Sequence, residues 1–165
     1  MCASSKMLVR TPIRRNLWAT SRAICAEPPT PRRPFSTDLP DAVDVLVVNA
    51  VEAEMLGGGA VTTLDQALAA AKALTAQFRA VLVTAGGDGV AFADREGAEI
   101  RVPAVPVVVA STHGAGDAFV GTLAASLARG DEIRTAIETA NREAARIVST
   151  PEADRHQRQD APQRP

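Results

Sequence analysis

The sequence predicts an α/β domain with a mainly parallel sheet flanked by helices. Two short apolar runs, 44–48 and 80–84, lack the polar–apolar alternation of a half-exposed strand and are typical of buried parallel strands. Residues 64–77 lie between them and repeat apolar side chains at helical spacing. A glycine-rich turn at 111–117 then joins a third apolar run, 107–110, to a second helical stretch. Strand, helix and strand in this order favour parallel pairing.

Composition and charge limit the function. The chain has 165 residues, 46% of them hydrophobic and 3% aromatic, which suits one folded domain with a small-residue core. Seven of the 18 Lys and Arg residues, but one of the 19 acidic residues, lie in residues 1–34. The rest of the chain therefore carries a net charge of −7, which argues against a nucleic-acid partner. No apolar run approaches the ~18 residues of a membrane helix, so we expect no membrane partner.

The two ends of the chain are predicted to be disordered. Residues 1–37 are rich in Arg, Ser and Pro without periodicity, and 151–165 form a polar tail, which leaves 38–150 as the folded unit. The two cysteines, Cys2 and Cys25, fit no disulfide framework. We therefore expect a cytoplasmic protein, or an organellar one if the basic leader is a transit peptide.

The first strand is followed by polar residues. It ends at Asn49, and Glu52 and Glu54 come next, before three glycines at 57–59. Thr63 and Gln66 then form the pattern of a capping box, which places the start of the helix at residue 64.

The middle of the chain reads as a succession of short strands. The strand 80–84 leads into a turn at 85–89, and a further strand follows at 90–93. A hairpin turn at 94–97 precedes a strand at 99–102, after which two prolines confine the chain to an edge or loop.

Two helices complete the predicted domain. The first spans 118–128, and Gly130 suits its carboxyl end. Asp131 suits the N-cap of the second helix, over 132–148, which has an apolar face.

The turn at 111–117 has the chemistry of an anion site. A helix N-terminus presents unpaired N–H groups and the positive end of the helix dipole, and glycines let a ligand approach the backbone. Asp117 would repel a phosphate held there unless it accepts a proton or a metal lies between. This combination predicts phosphoryl transfer with Asp117 as the base.

Three polar or glycine-rich segments follow predicted strands: Asn49, 84–89 and 111–117. Because ligands of parallel sheets bind beyond the carboxyl ends of the strands, we expect these segments to form one site.

The motif Gly114-Ala115-Gly116-Asp117, preceded by Asn49-Ala50-Val51-Glu52 and by 84–89, resembles the C-terminal half of the ribokinase (PfkB) family of carbohydrate and nucleoside kinases. The resemblance covers about residues 38–150. It implies a ribokinase-like fold, here incomplete because the N-terminal half and lid are absent. It also implies ATP and Mg²⁺ as cofactors and a sugar or nucleoside as substrate.

The resemblance further implies a role for each motif. Asp117 would be the catalytic base, and the amides of Gly114, Ala115 and Gly116 would form the anion hole. Asn49 and Glu52 would organise Mg²⁺, partly through water. The nucleotide would contact Asn49, Asn141 and the loop Thr84, Ala85, Gly86, Gly87, Asp88 and Gly89.

Some residues depart from the family pattern. Ser111 replaces an Asp that helps build a monovalent-cation site in the family, and 149–152 also differ from the basic, glycine-containing segment expected there. The potassium activation that the resemblance would otherwise imply is therefore left open for this chain. His113 is interpreted as a turn residue. A homodimer or a separate N-terminal half are possible partners.

One rival function remains open, and the sequence argues against a second. The chain could be a truncated, catalytically inactive remnant that at most binds nucleotide or a partner chain. A dinucleotide-binding oxidoreductase domain needs a glycine fingerprint after the first strand, which residues 49–52 do not supply.

Overall fold

The computed structural model describes residues 7–9, 40 and 43–151, with β1 described by its backbone alone. Five strands form one sheet in the order β1-β2-β3-β4-β5. The strands are β1 (Met7–Val9), β2 (Val45–Asn49), β3 (Ala80–Thr84), β4 (Gly89–Asp94) and β5 (Glu99–Pro103). The helices are α1 (Ala50–Met55), α2 (Leu64–Leu74), α3 (Ala115–Ala128) and α4 (Ile133–Ser149), with a 3₁₀ turn at Gly86–Asp88.

The sheet is mixed, which corrects the predicted mainly parallel pairing. Only β2 and β3 run parallel among the described strands, and the other three neighbouring pairs are antiparallel. The reason is the length of the connections. The turns at 85–88 and 95–98 are too short for a crossover, so β4 and β5 fold back as hairpins. The α/β class and the flanking helices are confirmed.

β1 lies in the leader for which the sequence predicts no regular structure. It pairs antiparallel with β2, placing Met7 opposite Val47 and Val9 opposite Val45. A three-residue apolar segment is too short for a periodicity signal, yet it supplies the backbone groups that the edge of β2 lacks. The rest of the predicted leader, residues 38, 39, 41 and 42, and the tail beyond residue 151 lie outside the described residues.

Both faces of the central strands are buried, and this explains their continuous apolar runs. Because successive side chains point to opposite faces, Leu46 and Val48 of β2 pack with α2, whereas Val45 and Val47 pack with α3 and α4. The same alternation holds in β3 and β4. Leu74 of α2 and Leu123 of α3 are almost fully buried at the centres of the two cores.

The predicted strand at 107–110 is wrong. This segment has no regular secondary structure, and Val108 in it is 88% exposed. A valine run reports a preference for extended backbone but not a partner strand. Here the backbone amides of Ala110 and Ser111 donate instead to the carbonyl of Val148 in α4, at 2.8 and 3.1 Å.

Helix boundaries differ from the predicted ones in ways that the caps explain. α2 begins as predicted, with the Thr63 hydroxyl accepting from the Gln66 amide at 3.2 Å, but the Gln66 side chain accepts from Thr62. α2 ends at Leu74 rather than at residue 77. α3 begins at residue 115 rather than at 118.

The joint between α3 and α4 follows the predicted glycine but not the predicted N-cap. Gly130 has φ +88° and donates to the carbonyl of Leu127, while the amide of Asp131 donates to that of Ser126. This is the Schellman arrangement that ends α3. The N-cap of α4 is Glu132, not Asp131, because the Asp131 carboxylate pairs with Arg129 at 3.0 Å.

Candidate active site

The short helix α1, which the sequence analysis missed, fixes the first pair of predicted site residues. Asn49 ends β2 and caps α1: its Oδ1 accepts from the amide of Glu52 at 2.9 Å, and the Glu52 Oε2 accepts from the amide of Asn49 at 3.0 Å. The Asn-x-x-Glu spacing is itself a capping box, and this signal could have revealed the helix. The structure thus brings Asn49 and Glu52 together, and Glu54 lies exposed.

The carboxylate of Glu52 is buried and only half satisfied. Its side chain is 4% exposed, and among the described buried side-chain atoms its Oε1 is the one without a hydrogen-bond partner. A buried carboxylate oxygen without a partner is costly. Oxygen ligands and retained waters are what Mg²⁺ prefers, so the pair fits a magnesium ion held partly through water. No group of three His, Cys, Asp or Glu side chains in the described residues forms a closed metal site.

The second predicted segment lies beside the first. Asn49 pairs with Thr84 in the parallel register of β2 and β3, so both strands end at one edge. The turn that follows closes through the amide of Ala85, which donates to Gly89 at 2.8 Å, and the amide of Asp88, which donates to Ala85 at 3.1 Å. Gly89 has φ +120°, a conformation that side chains rarely adopt.

The third predicted segment begins α3. Gly114 is its N-cap in the left-handed conformation, with φ +76°, and no side chain caps the helix. The first-turn amides of Gly116 and Asp117 have no acceptor within the helix, as helix geometry requires. The Asp117 side chain lies in this turn and is exposed. Gly116 is helical, and a Cβ at this position would meet no other protein atom within 4 Å.

A cavity of about 530 Å³ connects the second and third segments. Of the predicted residues, it is lined by Thr84, Gly86, Gly87, Gly89, Ala115, Gly116 and Asn141. The remaining predicted residues, Asn49, Glu52, Ala85, Asp88, Gly114 and Asp117, lie outside its lining. The structure therefore joins the glycine turn to the start of α3 through one cavity, with the Asn49–Glu52 pair at the neighbouring strand end.

Asn141 projects from α4 into the wall of this cavity. It is 9% exposed, and its Nδ2 donates to the carbonyl of Pro103 at 2.8 Å. The bond ties α4 to the end of β5, so Asn141 contributes to the shape of the wall whatever the ligand.

Much of the wall is apolar and was not predicted. Extended residues of the 104–109 segment form one side, and small residues of α4 form the other. These lining residues are Ala104, Val105, Pro106, Val107, Val109, Ala144, Ala145 and Val148. The alanines and valines of this wall have the same sequence pattern as residues of a hydrophobic core. The sequence therefore gives no signal that they line a cavity.

The displaced pKa values among the described groups belong to an ion pair on α4: a hydrogen bond from Arg146 lowers the pKa of Glu143, and Glu143 raises that of Arg146. Both side chains are partly exposed, and neither lines the cavity.

No helix of the described residues is long and apolar enough to span a bilayer.

Comparison with known proteins identifies the class. The family described as pfkB family carbohydrate kinase matches residues 25–159. The chain therefore belongs to the pfkB family of carbohydrate kinases. The predicted family is confirmed.

Curated relatives agree with this family. The chain is 33% identical to the ribokinase of Bacillus subtilis over 120 residues, which cover 73% of this chain and 38% of that protein. It is 36% identical to the deoxyribokinase of Salmonella typhi over 98 residues, 59% of this chain and 32% of the relative. A 74-residue match at 46% identity covers 15% of the bifunctional protein HldE of Bradyrhizobium diazoefficiens. The chain thus spans well under half the length of these relatives.

A solved structure confirms the ribokinase-like fold. Arabidopsis thaliana ribokinase, complexed with ribose and ATP, superposes with a TM-score of 0.63 at 28% identity. The superposition covers 72% of this chain and 38% of that chain, as expected for part of a ribokinase-like domain.

Proposed function

We propose that this chain is the nucleotide-binding and catalytic portion of a kinase that transfers the γ-phosphoryl group of ATP to a hydroxyl of a sugar or nucleoside. The observation that carries the proposal is the cavity, which runs from the glycine turn after β3 to the uncapped first turn of α3, where Asp117 lies. The ribokinase that superposes on the chain holds ribose and ATP.

The apolar cavity suits the base and sugar of the nucleotide. Its walls of alanine and valine exclude water from a flat ring, and the small residues of the 86–89 turn leave room for it. The phosphates would then extend towards Ala115 and Gly116, where amides and the helix dipole favour negative charge.

Asp117 is the base in this proposal. The acceptor hydroxyl oxygen attacks the γ-phosphorus, the bond to the β–γ bridging oxygen breaks, and ADP leaves. The hydroxyl proton passes to the Asp117 carboxylate. The amides of Gly114, Ala115 and Gly116, at the N-cap and start of α3, would stabilise the charge on the transferred group without having to reorganise. Exposure of Asp117 keeps it accessible to an acceptor.

Magnesium fits the buried pair at the end of β2. Asn49 and Glu52 would hold it, partly through water, and when bound it would neutralise charge on the ATP phosphates. Glu52 would use Oε1 for this, because Oε2 already accepts from the amide of Asn49.

The Glu52→Gln variant tests the magnesium assignment. The glutamine oxygen can still accept from Asn49, so the capping box survives, while the charge is lost. We expect the affinity for Mg-ATP to fall about tenfold, the scale of one charge-assisted interaction. In EDTA, the variant should melt above the wild type, because an uncompensated buried charge is gone.

The control is Glu54→Gln, two residues along the same helix and exposed. It should leave Mg-ATP affinity and melting temperature unchanged. Isothermal titration with and without Mg²⁺ measures the affinities. Equal Mg-ATP affinities for the wild type and Glu52→Gln would contradict the assignment.

A further inference from the structure

Several hydrogen-bond donors from outside the helix ladder bond to the last carbonyls of α4. The last four carbonyls of a helix have no acceptor role inside it. Here the carbonyl of Arg146 accepts from the hydroxyls of Thr150 at 2.7 Å and Ser149 at 3.1 Å. The carbonyl of Ile147 accepts from the amide of Thr150 at 3.2 Å. These bonds hold the last turn of α4 closed.

The next carbonyl reaches the turn that leads into α3. Val148 accepts from the amides of Ala110 and Ser111, at 2.8 and 3.1 Å. Ser111 in turn accepts from the amide of His113 through its Oγ at 3.3 Å, which orders the step before Gly114. Val148 and Thr112 both line the cavity, so the connection lies in its wall.

These same atoms argue against a monovalent cation beside the turn, which the family resemblance implies. Such an ion needs a shell of oxygen ligands, often backbone carbonyls. The carbonyls of Arg146 and Val148 each accept two hydrogen bonds, which occupies both lone pairs of the oxygen. The carbonyl of Ile147 accepts one, and the Ser111 Oγ accepts one from the amide of His113. The residues present do not fit the ion.

We propose that the carboxyl end of α4 is the positioning element for the anion-binding turn. The Val148 carbonyl fixes the backbone of Ala110 and Ser111. Ser149 and Thr150 hold the helical turn to which Val148 belongs, through their bonds to Arg146 and Ile147. These hydrogen bonds hold the anion-binding turn in place without a monovalent cation. This inference rests on the proposed function, because the anion is the phosphate chain of the nucleotide.

The Ala110→Pro variant removes one of the two donors to Val148. A positioning role predicts weaker binding of ligands that carry phosphates, and little change for adenosine, which occupies only the cavity. We expect the dissociation constant for Mg-ATP to rise about fivefold, in line with loss of one hydrogen bond. The adenosine value should stay within about twofold, because that ligand carries no phosphate for the amides of the turn to bind.

The matched control is Val108→Pro. It places the same ring two residues upstream, where the side chain is 88% exposed and outside the cavity lining. It should leave both dissociation constants unchanged. If Ala110→Pro binds Mg-ATP as the wild type does, or loses ATP and adenosine affinity equally, the positioning role is overturned.

A second pair of variants covers the case in which Ala110→Pro fails to fold. The double change Ser149→Ala and Thr150→Val removes both hydroxyls from the Arg146 carbonyl, and we expect Mg-ATP affinity to fall about threefold with adenosine unaffected. Thr75→Val is the control: the Thr75 hydroxyl donates to Lys72 at 2.7 Å, the same cap at the end of α2. Equal Mg-ATP affinity in the two variants would refute the proposal.

Cation dependence gives an independent readout. Mg-ATP titrations of the wild type in KCl, NaCl and tetramethylammonium chloride of equal ionic strength should agree. Preference for potassium would overturn the cation-free arrangement while leaving the nucleotide site intact. Absence of Mg-ATP binding in all three salts would refute the proposed function and this inference together.

Discussion

Asp117→Asn is expected to lower phosphoryl transfer by about 10²–10⁴-fold, the usual contribution of a positioned general base. Asparagine has nearly the same shape and keeps the first turn of α3, but it cannot take the hydroxyl proton. The dissociation constant for Mg-ATP should hardly change, because Asp117 lies outside the cavity lining. Transfer is measured as label moving from γ-labelled ATP to a panel of pentoses, hexoses and nucleosides.

Asp65→Asn is the matched control for this variant. Asp65 is also a first-turn carboxylate, on α2, where it pairs with Arg101 at 2.9 Å, away from the cavity lining. Loss of the Asp65 charge in Asp65→Asn should leave phosphoryl transfer at the wild-type rate. Wild-type transfer in Asp117→Asn would refute its role as base. Mg-ATP binding without any transfer by the wild type would instead favour the binding-only alternative.

Gly89→Ala is expected to lower the free energy of unfolding by about 2–5 kcal/mol, from backbone strain and overpacking together. Gly89 has φ +120°, and a Cβ there would lie 2.2 Å from the carbonyl oxygen of Val102 and 2.7 Å from the amide nitrogen of Ala104. Both atoms belong to the backbone of the neighbouring chain segment, so neither can move aside without distorting the β4–β5 pairing. Urea denaturation measures the change.

Gly87→Ala provides the comparison within the same turn. Gly87 has no positive φ, and a Cβ there meets no atom within 4 Å. Its unfolding free energy should match the wild type within about 0.5 kcal/mol, as for ordinary surface changes. Equal stability of the two variants would contradict the packing described for this turn.

The parts of the fold that are encoded locally were predictable. Continuous apolar runs identified β2 and β3 because both faces of these strands are buried. The Thr63 cap located the start of α2, and Gly130 located the end of α3. Each of these features depends on a few neighbouring residues, so the sequence carries it directly.

Other features depend on partners distant in the chain. The valines at 107–109 have the composition of a strand, but the chain directly after them, at Ala110 and Ser111, bonds to the carbonyl of Val148, about 40 residues later. α1 has six residues, too few to show a repeat of apolar side chains at helical spacing. Its capping residues, Asn49 and Glu52, are also the residues of the proposed magnesium motif, so the same pattern has two interpretations. The mixed pairing of the sheet followed from turn length, which apolar runs do not report.

Some residues of the candidate site were predictable from the sequence, and others were not. Glycines and a carboxylate at 114–117 indicate chemistry because few core positions require those residue types. Asn49 and Glu52 were paired on motif grounds, and the structure adds that Glu52 is buried with Oε1 unpartnered. The apolar wall was not predictable, since Ala144, Ala145 and Val148 resemble any buried helix face.

The central claim is that this chain folds and carries a nucleotide site, and a thermal melt with and without Mg-ATP tests it most directly. At 100 times its dissociation constant, a ligand that binds only the folded state adds about 2.7 kcal/mol of stability. We predict one cooperative transition that moves to higher temperature with Mg-ATP and does not move with Mg²⁺ and inorganic sulfate. A cooperative transition that Mg-ATP leaves unchanged would contradict the nucleotide site, and the absence of a cooperative transition would contradict the fold.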